Sequence, residues 1–156
     1  MVEMKYSRAA LTLISIAAIG GILYGYDIGI IAGALLFIQR DISMTPQQMS
    51  FLVAAVLGGG AFSTLVTGPL SDWLGRRFML VASSIIFLIG VFSVAFAHSY
   101  SVLLLGRVTQ GIGVGIITIA VPLYMAESVP SHLRGRGISA FQMMLTAGIL
   151  LASLVD

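Results

Sequence analysis

Five apolar runs separated by short polar segments account for almost all of this chain. Residues 9–38 are apolar apart from Asp27, and residues 51–70 and 78–97 carry no charge. Residues 102–125 carry only Arg107, and residues 138–155 carry none. A helix needs about 20 apolar residues to cross the hydrocarbon core of a bilayer, and each run meets or approaches that length. The pattern predicts five transmembrane helices, at about 9–38, 46–70, 78–97, 101–125 and 137–155. The first is longer than a span requires, so it tilts or its outer end leaves the membrane.

The connections are short, which makes successive helices antiparallel neighbours. In "QRDISMTPQQ", Thr45 and Gln48 have capping-box spacing with Pro46 at the first helical position, a helix start ahead of Phe51. "SDWLGRR", "HSYS" and "ESVPSHLRGR" join the later helices, and no linker or second domain is visible. Lys5 and Arg8 precede an apolar stretch, as in a signal peptide. The run continues far past an h-region of about 7–15 residues without a clear cleavage site, so it reads as a first span.

Composition sharpens the class. Of 156 residues, 58% are hydrophobic and 9% charged, against about 25% charged in a soluble domain. Disulfides and cysteine-based zinc motifs are excluded because the chain has no cysteine, and His98 and His132 have no metal-ligand spacing. No nucleophile–base set or phosphate loop argues for an enzyme. "GIGVG" lies inside a membrane-length run with no strand before it, so it is no nucleotide loop, and no nucleic-acid partner is expected. Positive charge orients the chain: Lys5, Arg8, Arg76, Arg77, Arg134 and Arg136 fall on one side and Arg40 on the other. The N-terminus is therefore expected in the cytoplasm.

Asp27 and Arg107 are the charges well inside apolar runs. At about 1.5 Å per residue, Asp27 lies roughly 27 Å up from the inner surface and Arg107 about 9 Å below the outer one. In a core about 30 Å thick they fall within roughly 6 Å of the same level, which permits an ion pair. Arg107 stabilises an ionised Asp27, and exclusion of water favours the protonated form. A carboxylate between those pulls can load and release a proton as access changes. A static structural salt bridge, and an Asp27 that faces water at the end of a long helix, are the alternatives. Gly21, Gly25, Gly29 and Gly33 recur on one face of the first helix, and Gly111 and Gly115 on the fourth. Small residues at that spacing let helices approach closely, and glycine also permits the rocking of transporter helices.

Four stretches carry a family resemblance. "GPLSDWLGRRF", with Gly68, Asp72, Gly75, Arg76 and Arg77, resembles the loop signature of the major facilitator superfamily between its second and third helices. "GGILYGYDIGIIAGAL" and "GRVTQGIGVG" look like the first and fourth helices of its sugar porter family. "VPLYMAESVPSHLRGR" is similar to that family's motif after helix 4, with Pro122, Tyr124, Glu127, Pro130, Arg134 and Gly135 matching.

The resemblance implies an all-α membrane protein, five helices of a twelve-helix transporter built from two six-helix halves. On that reading residues 1–156 are an incomplete N-terminal half, and the C-terminal half, absent here, is needed for function. It further implies proton-coupled monosaccharide symport by alternating access, with Asp27 as the protonation site and Arg107 as its partner. Gln142 matches a sugar-bonding glutamine of the fifth helix, and Tyr24 a position that lines the sugar cavity. A polar residue satisfied within the bundle is the plain alternative for Gln142, and simple packing for Tyr24. Glu127 and Arg134 would join Gly68, Asp72, Gly75, Arg76 and Arg77 in a cytoplasmic gating network. The proton is the coupling ion and no cofactor or metal is implied. The partners are a sugar and the lipid bilayer, and the location is the cell membrane, the inner membrane if bacterial.

Two positions depart from the family pattern. Trp73 stands where the loop usually carries Arg or Lys, and Ile149 where some members have a second sugar-contacting glutamine. A facilitative uniporter, another facilitator such as a drug–proton antiporter, and a non-transporting truncated membrane protein are the competing expectations.

Overall fold

A computed structural model describes residues 2–155. It comprises six helices, α1 (Val2–Gly29), α2 (Ile31–Asp41), α3 (Pro46–Leu74), α4 (Arg76–Ala95), α5 (Tyr100–Ser128) and α6 (Ser131–Val155), with no strand among the described residues. Five stretches are long and apolar enough to cross a membrane: Ala10–Gly29, Pro46–Leu74, Arg76–Ala95, Tyr100–Ser128 and Ser131–Val155. The protein is a multi-pass membrane protein.

The helix ends follow local chemistry rather than hydropathy. At the start of α3 the Gln48 amide donates to Thr45 Oγ1 at 3.3 Å, and the Thr45 amide donates to Gln48 Oε1 at 2.9 Å. This reciprocal pair satisfies two amides that the first turn leaves open. α3 stops at Gly75, whose φ of 87° suits glycine, and α4 begins one residue later. α5 ends ahead of Pro130, because the residue before a proline disfavours the helical region. α6 begins at Ser131 rather than near 137, since Arg134 and Arg136 extend the helix beyond its apolar part. The first apolar run divides at Ile30, although the Ile30 amide still bonds Tyr26 and the Ala34 amide bonds Ile30. The division falls beside Gly29, a residue about 1 kcal/mol poorer than alanine inside a helix.

The chain forms two compact units, one of residues up to Ala34 together with those from Pro122, the other Leu35–Val121. In the first, α1 packs along α6 through interleaved glycines. An added methyl group at Gly21 would meet the Phe141 carbonyl, at Gly25 the Leu145 carbonyl and at Gly29 the Ala152 side chain. Gly148 sits equally close to the Ile22 carbonyl. Backbone-to-backbone approach of this kind replaces the hydrophobic drive that lipid cannot supply.

In the second unit α5 is the central helix. One face sets Gly111 against Val56, and Gly115 against Gly60 and Ser63, on α3. Another sets Gly106 and Gly113 against Val94 and Phe87 on α4. Met79, Ile116 and Ala120 form a buried cluster, with Leu70, Leu80, Ile86 and Ile112 around it. Leu57, Phe62 and Leu65 are largely exposed. Such apolar surface would be a liability in water, and lipid covers it in a bilayer.

Candidate functional site

The first unit holds Asp27, Tyr24, Gln142, Glu127 and Arg134. Asp27 is half-buried and lies two residues from both Gly25 and Gly29. Those glycines face α6, so at about 100° per residue the Asp27 side chain points away from that contact. The glycine face thus fixes α1 and turns the carboxylate to the opposite side. Tyr24, half-buried, lies three residues before Asp27 on the same helix.

On α6, Phe141 is buried toward α1, and its neighbour Gln142 is exposed. Gln142 lines a shallow open groove with Ser139, Met143, Thr146, Ala147 and Leu150. Three of these six, Ser139, Gln142 and Thr146, carry polar side chains. The Thr146 hydroxyl donates to the Gln142 carbonyl at 3.1 Å, which satisfies it locally. The exposed Gln142 amide can donate and accept at once, the chemistry a sugar hydroxyl requires.

The second unit holds Arg107 and the loop residues. Arg107 is 4% exposed, and its Nη1 donates to Gln110 Oε1 at 2.8 Å. Gln110 is itself 2% exposed. Sequence reasoning passed over Gln110; the signal was an amide inside an apolar run, one turn after the arginine.

At the α3–α4 junction Arg76 Nη2 pairs with Asp72 Oδ1, and Nη1 donates to the Ser71 carbonyl at 3.0 Å. One arginine thereby closes the end of α3 onto the start of α4, with Gly75 between them. Arg77 is exposed, and a methyl group at Gly68 would meet nothing within 4 Å. In the first unit Arg134 Nε donates to the Val129 carbonyl at 3.0 Å, tying α6 to the turn after α5. Glu127, exposed, stands in the last turn of α5. Among the described residues no group of three or more His, Cys, Asp or Glu side chains comes together.

The architecture is that of the major facilitator superfamily. The chain superposes with a TM-score of 0.82 on the Escherichia coli proton:xylose symporter XylE, solved with 6-bromo-6-deoxy-D-glucose. It is 27% identical to that protein and covers 96% of this chain and 37% of the other. Within that class the family is defined as well: residues 13–156 match the model for sugar (and other) transporters, and the chain belongs to that family. It is 42% identical over 139 residues to a D-xylose transporter of Levilactobacillus brevis, covering 89% of this chain and 30% of that protein. It is 43% identical over 140 residues to the arabinose-proton symporter of Escherichia coli K12, covering 90% of this chain and 30% of that protein. The chain therefore spans about a third of the length of the curated relatives it matches.

Proposed function

We propose that this chain is the N-terminal part of a proton-coupled monosaccharide symporter that works by alternating access. The observation that carries the reading is Asp27, an acid within a membrane-length helix of a sugar transporter family member. An ionisable group at such a position is costly unless it works. Relatives named as proton symporters of arabinose and galactose support the coupling ion and the substrate class.

In this mechanism protonation of Asp27 from the outside neutralises the carboxylate and permits sugar loading. After the change of access the proton leaves to the inside, and Arg107 is the second residue assigned to proton coupling. Gln142 bonds sugar hydroxyls from α6, and Tyr24 offers an aromatic face to the apolar C–H surface of the ring. Asp72, Arg76, Arg77, Glu127 and Arg134, with Gly68 and Gly75, close the cytoplasmic ends. The N-terminus is cytoplasmic and the location is the cell membrane. The protein moves solute rather than transforming it, with the proton as coupling ion and no cofactor. The sugar, the bilayer and a C-terminal half complete the working system.

The test is Asp27→Asn in the complete transporter that carries this segment. Accumulation against a sugar gradient should be abolished and sugar exchange retained. Equal loss of both would overturn the proton-site assignment. Wild-type uptake that equilibrates without accumulating and ignores a protonophore would make the protein a uniporter. Uptake of cationic dyes in place of labelled sugars would make it a drug antiporter.

A further inference from the structure

We infer that Gln110 is a positioning residue for Arg107, a neutral acceptor that fixes the guanidinium without cancelling its charge. The functional half of this inference rests on the proton-symport reading above.

Arg107 and Gln110 are 4% and 2% exposed, on one face of α5 at i and i+3. A buried cation must find acceptors or stay unsolvated at high cost. Arg107 Nη1 finds one in Gln110 Oε1 at 2.8 Å, within the same helix. The amide is itself held in place. Gly90 of α4 lies so close that a methyl group there would stand 2.7 Å from Gln110 Cγ and from its backbone nitrogen. The glutamine stem thus lies close against Gly90 of α4, and its Oε1 accepts from the arginine. Ordering a long arginine side chain costs rotamer entropy, and a pre-set acceptor reduces that cost when the side chain is put to use.

The type of acceptor matters as much as its place. A carboxylate at position 110 would hold the guanidinium equally well and would also neutralise it. An amide supplies the same geometry and adds no negative charge of its own beside the guanidinium. On the proton-symport reading, a cation that takes part in coupling needs both a fixed direction and a local acceptor that adds no negative charge. Glutamine at i+3 meets both needs.

The first test uses the complete transporter that carries this segment, in lipid nanodiscs with ¹⁵N-labelled arginine. Arg107→Lys identifies the Arg107 guanidinium signals by their loss. In the unaltered chain those signals should persist against solvent exchange. Gln110→Leu should speed their exchange about tenfold, the scale of one hydrogen bond to a charged group. Gly90→Ala, which forces α4 away from the stem and backbone of Gln110, should act in the same direction. Equal protection in Gln110→Leu and the unaltered chain overturns the positioning role.

The second test uses Gln110→Glu in the complete transporter. Protection of the Arg107 signals should be retained, so the fold and the hydrogen bond are preserved. Proton-driven accumulation should still fall about tenfold, with a smaller loss of exchange, because the charge is cancelled. Accumulation equal to wild type overturns the requirement for a neutral acceptor. Should Asp27→Asn accumulate sugar like wild type, the symport reading fails, and the spectroscopic result on Arg107 stands independently of it.

Discussion

Gly25 of α1 lies against the carbonyl oxygen of Leu145 on α6 so closely that even a methyl group at its α-carbon would overlap that oxygen. The neighbouring atom is backbone, so it cannot rotate away. Gly25→Ala should therefore separate α1 from α6 and destabilise the first unit by about 1–3 kcal/mol, the usual cost of overpacking. Gly20→Ala is the control, because nothing lies within 4 Å of its added methyl group. Alanine is there a better helix former by about 1 kcal/mol, and the change should be neutral or stabilising. Unfolding titrations in mixed micelles would separate the two. Equal midpoints for both variants would mean that the glycine contact does not hold the helices together.

The α3–α4 junction separates a charge effect from a backbone effect. Asp72 and Arg76 form an i,i+4 pair in which the aspartate side chain is 70% exposed. Such pairs contribute about 0.3–0.5 kcal/mol and are screened by salt, so Asp72→Asn should barely change stability. Gly75 has a φ of 87°, a conformation that side chains rarely adopt. Gly75→Ala should cost about 1–3 kcal/mol although its methyl group would meet open space. The same unfolding titration, repeated at high salt, checks both: salt should remove the Asp72 effect and leave the Gly75 effect.

Thr45 caps α3 through a hydroxyl that accepts from the Gln48 amide. Thr45→Ala should cost about 1 kcal/mol, confined to the first turn. Hydrogen exchange at Gln47 and Gln48 should quicken, while amides beyond Phe51 keep their protection. Uniform quickening along α3 would show that the cap holds more than its own turn.

The capping box was legible because it depends on four consecutive residues and on nothing distant. The spans were legible for a related reason: hydropathy registers a bilayer without knowing which helices touch. The glycine spacing on α1 was also visible, yet its partner was not, since Gly25 meets a backbone carbonyl that any residue at 145 would supply. Helix ends were read too short at α6, where Ser131, His132, Arg134 and Arg136 are polar but helical. Gln110 escaped notice because an amide among apolar residues reads as an isolated polar position. Only the packed structure shows that its stem lies on Gly90 and that its carbonyl end meets Arg107. The open groove beside Gln142 was equally hidden, since its residues lie one and two turns apart on α6 and share a face only once the helix is oriented by Phe141.

Phe141 and Gln142 are adjacent in sequence and should fail in opposite ways. Phe141 is 3% exposed and packs beside Gly21 of α1. Phe141→Ala should cost about 3–5 kcal/mol of stability, the range for a buried aromatic truncated to alanine. In the complete transporter this lowers the amount of folded protein, and with it the maximal uptake rate, while the KM for sugar is little changed. Gln142→Ala removes an exposed amide, so it should leave stability nearly unaltered. On the proposed function it also removes a sugar contact worth about 0.5–1.5 kcal/mol, which raises KM several-fold. Labelled-sugar uptake normalised to protein in the membrane distinguishes the two variants. An unchanged KM in Gln142→Ala, with normal protein levels, would remove the α6 groove from the sugar path and leave its polar residues as internal helix bonds alone.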